Sequence, residues 1–210
     1  MTVPRPEGER KAELRGQIRA RRRSRTDDER ASVASALAIR LGSVPEIAAL
    51  VAEPHRGVVA AYASYAAEPG TTALRELLAL SGVRVLLPVI AEDGGLDWAW
   101  DVGELAATSL SRGIPEPPGD VVGHGADGLH ALECRVLLVP ALAVDRNGHR
   151  LGKGGGYYDR LLDALVAHPG RAPLICAVVH DDEVLDDVPV EAFDRPVEAA
   201  LTPDGFTRLR

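Results

Sequence analysis

The sequence predicts an α/β fold in which helices flank both faces of a mostly parallel central sheet. Apolar runs such as residues 136–139 do not alternate with polar ones, which suits strands buried on both faces. Helical patterns separate those runs, and strand–helix alternation builds parallel sheets through crossover connections. Glycine, proline and aspartate cluster at the junctions, where turns between short elements need them.

Taken in order, residues 1–9 read as a loose polar arm. From Lys11 a helix is expected, with Leu14 and Ile18 one turn apart and Lys11, Arg15 and Arg19 spaced by four. Thr26-Asp-Asp-Glu29 has the form of a capping box, in which side chains and backbone satisfy each other at a helix start. It opens a second helix that puts Val33, Leu37 and Leu41 on one face and stops at Gly42. A short helical piece follows Pro45, over 47–51. Residues 58–62 read as a strand, 72–80 as a helix stopped at Gly82, and 83–89 as a strand. The turn Glu92-Asp-Gly-Gly95 leads into 96–100, whose period-two alternation marks a half-buried strand. Residues 113–119, dense in proline and glycine, are expected to be irregular loop. Strands over 135–139, 174–179 and 196–201 and a helix over 157–167 complete the series. Ligand sites in such sheets form where loops leave the carboxyl ends of strands. The loops after Tyr62, Val89 and Val139 are therefore the first candidates.

A chain of 210 residues is most simply one domain, here spanning 1–210. A hydrophobic fraction of 46% with 26% charged residues supports a substantial core, and aromatics at 4% leave Ala, Val, Leu and Ile to build it. The net charge of −7 argues against broad nucleic-acid binding, and anionic small molecules require a local basic cluster. Cys134 and Cys176 lie in or beside apolar runs and form no CxxC pair, which suits buried thiols in a reducing compartment. The polar N-terminus has no signal-peptide pattern, and no apolar stretch is long enough to span a bilayer. A cytoplasmic protein is expected.

Chemistry concentrates after the 136–139 strand. Arg150, Lys153 and the glycines Gly152, Gly154, Gly155 and Gly156 stand directly before the helical pattern that opens at Tyr157. Glycines let backbone N–H groups close around a phosphate, and a helix N-terminus adds partial positive charge. The loop is no Walker A motif, because Gly154 rather than Ser or Thr follows Lys153, and it does not fit a GxGxxG fingerprint. On the glycines alone, a tight structural turn is as good a reading as a phosphate site. The two cations favour phosphate, which a solvated turn does not need. Asp159, in the first helical turn, either complements the helix dipole or holds a Mg²⁺ that bridges phosphate oxygens. One of Tyr157 and Tyr158 packs inward and the other offers its ring to a flat heterocycle; the spacing allows either. Glu68 is either a capping carboxylate or an acceptor for a donor-rich heterocycle. The Lys11, Arg15, Arg19 stripe is either a solvated face or a phosphate contact. Arg21, Arg22 and Arg23 widen it and keep an RNA-binding reading open. The six histidines lack the spacing of a helical metal pair, and no activated serine or cysteine is visible, so covalent catalysis by the protein is not expected.

These residues resemble the signature of the 5-formyltetrahydrofolate cyclo-ligase family, also called methenyltetrahydrofolate synthetases. The resemblance is carried by Val139-Pro-Ala-Leu-Ala-Val-Asp145 and Gly148-x-Arg150-Leu-Gly-Lys-Gly-Gly-Gly-Tyr-Tyr-Asp159-Arg160. Shorter pieces follow in the right order: Lys11-x-x-x-Arg15, Glu68-Pro-Gly-Thr71, Ile114-Pro-Glu-Pro117 and Val188-Pro-Val-Glu-Ala-Phe-Asp194. It implies a Rossmann-like single-domain enzyme that uses Mg²⁺ and ATP. The implied reaction converts 5-formyltetrahydrofolate into 5,10-methenyltetrahydrofolate and releases ADP and phosphate. The resemblance sets Lys11 and Arg15 on the ATP phosphates. It wraps Arg150, Leu151, Gly152, Lys153, Gly154, Gly155, Gly156, Tyr157 and Tyr158 around the nucleotide; Arg150 and, on this chain's own residues, Lys153 are expected as the catalytic cations. Glu68, Tyr157 and Tyr158 would bind the folate, and Asp159 with Glu191 the metal. Its implied partners are a reduced folate and ATP, with no nucleic acid, no membrane and a monomeric state.

The chain departs from the family pattern in places. Lys153 occupies a position often aromatic, Gly155 replaces a lysine some members carry, and Phe193 stands where a histidine often precedes the Asp194 position. Ala141 and Val144 replace the commoner Gly and Phe. Lys153 is expected to supply the loop cation. The alternatives are a non-cyclising nucleotide-binding relative with another ligand, and an RNA-associated module built on the arginine-rich segment 19–25.

Overall fold

The computed structural model describes residues 6–107 and 114–210. Helices α1 (Glu7–Ser24), α2 (Asp27–Leu41) and α3 (Pro45–Ala52) precede the first strand, β1 (Val58–Ala60). Helix α4 (Thr72–Leu80) leads into β2 (Val85–Ile90) and its hairpin partner β3 (Leu96–Trp100). Short strands β4 (Ala106–Ala107), β5 (Pro115–Glu116) and β6 (Gly123–His124) come next, then α5 (Gly125–Ala131) and β7 (Cys134–Pro140). A hairpin of β8 (Ala143–Asp145) and β9 (Arg150–Leu151) feeds α6 (Tyr157–Ala167). Strands β10 (Leu174–Val178), β11 (Val184–Leu185), β12 (Ala199–Leu201) and β13 (Phe206–Arg208) complete the described chain.

The main sheet runs in the order β13-β12-β10-β7-β1-β2-β3-β6. Its centre, from β12 to β2, is parallel throughout, and β13, β3 and β6 pair antiparallel at the edges. Side chains on a strand alternate between faces, and both faces of this sheet are covered. On one side Val136 and Leu138 of β7 pack with Leu41 of α2, Leu50 of α3 and Leu74 of α4. On the other, Leu137 and Val139 pack with Leu129 of α5 and Leu161 and Leu165 of α6. That double cover explains why the β7 segment reads as unbroken apolar sequence. Ile18 of α1 joins Leu142, Ala143, Leu151 and Val188 in a third, smaller cluster on the β8–β9 hairpin.

Several elements match the sequence reading closely. The helices expected over 72–80 and 157–167 form over those residues. The capping box at Thr26 is made in both directions, with the Glu29 N–H donating to Thr26 Oγ1 and the Thr26 N–H to Glu29 Oε2. Others differ. Of the arm expected over 1–9, residues 1–5 lie outside the described residues, and α1 already begins at Glu7, where two acidic residues in the first turn favour the helix dipole. The loop expected over 113–119 holds a short strand, since Pro115–Glu116 pairs with Ala106–Ala107; Gly113 lies outside the described residues. Helix α5 was hidden by its two glycines. Gly128 is needed there, because a Cβ would lie 2.6 Å from the Gly123 backbone carbon, so small residues let helix and edge strand touch. Among the described residues, no single helix is long and apolar enough to cross a membrane.

Candidate active site around the glycine loop

Strand β9 and the first turn of α6 are joined by the loop 152–156, which lies beyond the carboxyl end of β7. Gly156, the residue before α6, adopts φ +72°, and a Cβ there would stand 2.8 Å from Arg160 Nη1. Glycine is the residue that takes this left-handed conformation without steric cost. The loop is clasped from α1. Arg15 Nε donates to the Gly152 carbonyl at 2.9 Å, and Arg19 Nη2 donates to the Lys153 carbonyl at 3.0 Å. The stripe spaced by four therefore holds the loop by its carbonyls.

Lys11, the third member of the stripe, is only 2% exposed. Its ammonium lies 2.7 Å from Glu191 Oε2 and 2.5 Å from Asp194 Oδ2. The predicted phosphate contact and the predicted metal ligand thus meet as an ion pair. Arg150 is 4% exposed and lies beneath the loop. It donates to Asp159 Oδ1 at 2.6 Å and to the Pro140 carbonyl at 3.2 Å, tying the end of β7 to the start of α6. Lys153 is the loop cation at the surface. Its ammonium is 2.7 Å from Glu68 Oε1, while Glu68 Oε2 accepts the Tyr65 N–H at 2.7 Å.

Two cavities flank the loop. One is lined by Tyr62, Tyr65, Glu68, Lys153, Tyr157 and Tyr158, with apolar walls from Ile90, Leu96 and Ile114. The other is lined by Lys11, Arg15, Arg160, Arg195 and the carboxylates Asp159, Asp163, Glu191 and Asp194. Gly154, Gly156 and Asp159 border both. The predicted folate residues are thereby gathered on one side of the loop. Lys11, Arg15, Asp159 and Glu191 are gathered on the other. Leu151 is fully buried in the third core cluster and touches neither cavity; it anchors the loop from below.

Burial holds the Tyr62 and Tyr158 phenols above the usual tyrosine range, and the charge of Glu68 pushes both the same way. They are neutral hydroxyls at any physiological pH. Burial likewise pushes the Cys134 thiol up to about 12 and raises that of Cys176. The arginine-rich stretch is engaged within the molecule. Arg22 is 3% exposed and makes a two-pronged pair with Glu183, while Arg21 and Arg25 reach Asp182. Among the described residues, no group of three or more His, Cys, Asp or Glu is placed to hold a metal unaided.

Sequence reasoning pointed to the loops after Tyr62 and Val89; the first lines the cavity through Ala63, Tyr65 and Glu68, whereas beside the second only the strand ends Ile90 and Leu96 do so. It did not single out Tyr62, Tyr65, Ile90 or Leu96 as site residues. Their apolar or aromatic character reads as core, and the sheet order that converges them is not local information.

A family model described as the 5-formyltetrahydrofolate cyclo-ligase family matches residues 7–203. The chain belongs to that family. A 5-formyltetrahydrofolate cyclo-ligase of Mycolicibacterium smegmatis is 40% identical over 162 residues, covering 72% of this chain and 77% of the relative. Its Escherichia coli counterpart is 33% identical over 190 residues, covering 89% of this chain and 96% of the relative. The NMR structure of Aquifex aeolicus 5,10-methenyltetrahydrofolate synthetase superposes with a TM-score of 0.72 at 28% identity, covering 95% of this chain and 93% of that one. Membership of the cyclo-ligase family gives the glycine loop and its two cavities a chemical frame.

Proposed function

We propose that the chain catalyses the ATP- and Mg²⁺-dependent cyclisation of 5-formyltetrahydrofolate to 5,10-methenyltetrahydrofolate, with release of ADP and phosphate. The observation that carries this reading is the glycine loop bordering both cavities, one aromatic with a carboxylate and one charged. A heterocycle in the first and a triphosphate in the second would meet at Gly154 and Gly156. That is the arrangement a phosphoryl transfer between two bound substrates requires.

The chemistry is set by the formyl group. Its nitrogen lone pair is delocalised into the carbonyl, so its carbon is a poor electrophile. Transfer of the γ-phosphoryl group to the formyl oxygen makes that oxygen part of a leaving group. Nitrogen 10 then attacks the activated carbon, the carbon–oxygen bond breaks, and the phosphate departs with the proton that nitrogen 10 gives up. No protein nucleophile is called for, in keeping with thiols that burial keeps protonated. The chain's part is to position the substrates and offset charge. Arg15 would meet phosphate oxygens in the second cavity, and Lys153, which lines the first, would meet the γ-phosphoryl group where the two cavities join. The N-terminus of α6 would add partial positive charge, and Glu68 would accept N–H groups of the pterin.

The residues present fit a magnesium ion that arrives with the nucleotide. Mg²⁺ keeps several waters and takes only one or two protein carboxylates beside phosphate oxygens. Asp159 would be one of them, because it borders both cavities and Arg150 holds it by Oδ1 alone. Glu191 lines the charged cavity with one oxygen paired to Lys11, so it would act as a second, outer carboxylate. When bound, the ion would neutralise charge on the transferring phosphoryl group.

Phosphate release from ATP tests this directly. It should require 5-formyltetrahydrofolate and match its consumption one for one, and Asp159→Asn, with its folding checked by circular dichroism, should cut the rate by about tenfold or more. ATP hydrolysis indifferent to the folate would overturn the proposal.

A further inference from the structure

Tyr62 lies just past β1, is 3% exposed and lines the cavity that holds Glu68. Among the described residues its hydroxyl has no hydrogen-bond partner. The Tyr158 hydroxyl, in the same cavity, is likewise unpartnered. A buried hydroxyl with no partner destabilises a fold, and phenylalanine would fill the same space without that cost. The Tyr62 ring borders the cavity while its oxygen is closed to solvent, so a group seated there would complete it through a turn of the side chain. The chemistry of that group follows from its neighbours. Glu68 only accepts hydrogen bonds, and its two oxygens already take the Tyr65 N–H and the Lys153 ammonium. A phenol, unlike a carboxylate, can donate. A reduced pterin presents N–H donors and a ring carbonyl on one edge, so a site built to read it needs both an acceptor and a donor.

We infer that the Tyr62 hydroxyl is a specificity-determining contact: it donates a hydrogen bond to the ring carbonyl of the pterin whose N–H groups Glu68 accepts. This rests on the folate reading of the first cavity and adds to it a residue outside the glycine-loop motif. Sites built to pair a polar group reject analogues that leave it unpaired, so the contact would sort pterins by what they carry at that position.

Tyr62→Phe removes one oxygen and little volume, so the variant should fold. Calorimetric titration of both proteins with 5-formyltetrahydrofolate and with a non-hydrolysable ATP analogue, alongside thermal melts without ligand, tests the assignment. Expected are folate binding weakened about fivefold or more, unchanged nucleotide affinity and a melting temperature that is equal or higher. A 4-amino pteridine analogue, which lacks the carbonyl, should bind both proteins equally. Unchanged folate affinity, an equal loss with the 4-amino analogue, or a clearly lower melting temperature in the variant would each overturn the role of Tyr62. Failure of the unsubstituted protein to bind 5-formyltetrahydrofolate would instead sink the folate reading, and the Tyr62 contact with it.

Discussion

Lys153 and Glu68 form the contact between the glycine loop and the cavity wall, with 2.7 Å between Nζ and Oε1. Lys153 is 45% exposed and Glu68 only 7%, so the cation is the mobile partner and the carboxylate the fixed one. Replacement of Lys153 by alanine should weaken ATP binding about tenfold, the scale of one charge-assisted contact; nucleotide affinity unchanged in a titration would remove Lys153 from the phosphate site. The thiols give a second prediction at this scale. Because burial pushes Cys134 up to about 12, its thiolate is scarce at pH 8, and native protein should resist alkylation while urea-unfolded protein reacts readily. Rapid labelling of the native chain would contradict the buried placement. At this scale the sequence was informative about residue type and silent about direction. Arg150 and Lys153 look alike as loop cations, yet one props Asp159 from below and the other lies at the surface.

Helix α1 shows how an element with little apolar surface is fixed. Beyond Ile18 and Leu14, which pack on the third cluster, its attachment is polar: Lys11 to Glu191 and Asp194, Arg15 and Arg19 to loop carbonyls, and Arg22 to Glu183 and the Ala141 carbonyl. Arg22 and Glu183 are 3% and 1% exposed. Removing one partner of such a pair strands a buried charge, whereas replacing both by apolar residues is far milder. Arg22→Met should therefore cost about 3–5 kcal/mol in urea unfolding, and Arg22→Met with Glu183→Leu should recover most of that loss. A double variant as unstable as the single one would show that α1 is held by other means. The spacing by four made the helix legible, and its basic face suggested solvent, phosphate or RNA. Which arginines turn inward depends on Glu183 and Ala141, far along the chain, and no local pattern reports that. Helix α5 was illegible for a different reason: its two glycines speak against a helix locally, while the burial of Ala126 and Leu129 and the close fit of Gly128 on Gly123 come from the rest of the fold.

The two cavities around the glycine loop lie where alternation of strand and helix led one to look for a ligand, beyond the carboxyl ends of central parallel strands. The antiparallel edges and the small β8–β9–β11 sheet were not foreseen, because short strands pair through contacts remote in sequence. Global stability should carry a histidine signature. Burial depresses the pKa of His180 below 6.5, with Arg25 and Arg22 acting in the same direction and Glu183 opposing. The unfolded chain then binds a proton that the folded chain refuses, so stability holds above about 6.5 and falls as pH drops through that value toward the folded pKa. Melting temperatures measured from pH 7.5 to 5 should decline, and His180→Gln should decline less; parallel curves would show that His180 contributes nothing.

The central claim is that one loop serves two substrates in a single cyclisation. Its most direct test is to mix the protein with 5-formyltetrahydrofolate and follow the near-ultraviolet absorbance of the methenyl product, with ATP and Mg²⁺ added singly and together. Product that forms only when both are present is the predicted result. ATP binding without any methenyl product would contradict the account and leave the first cavity to another ligand.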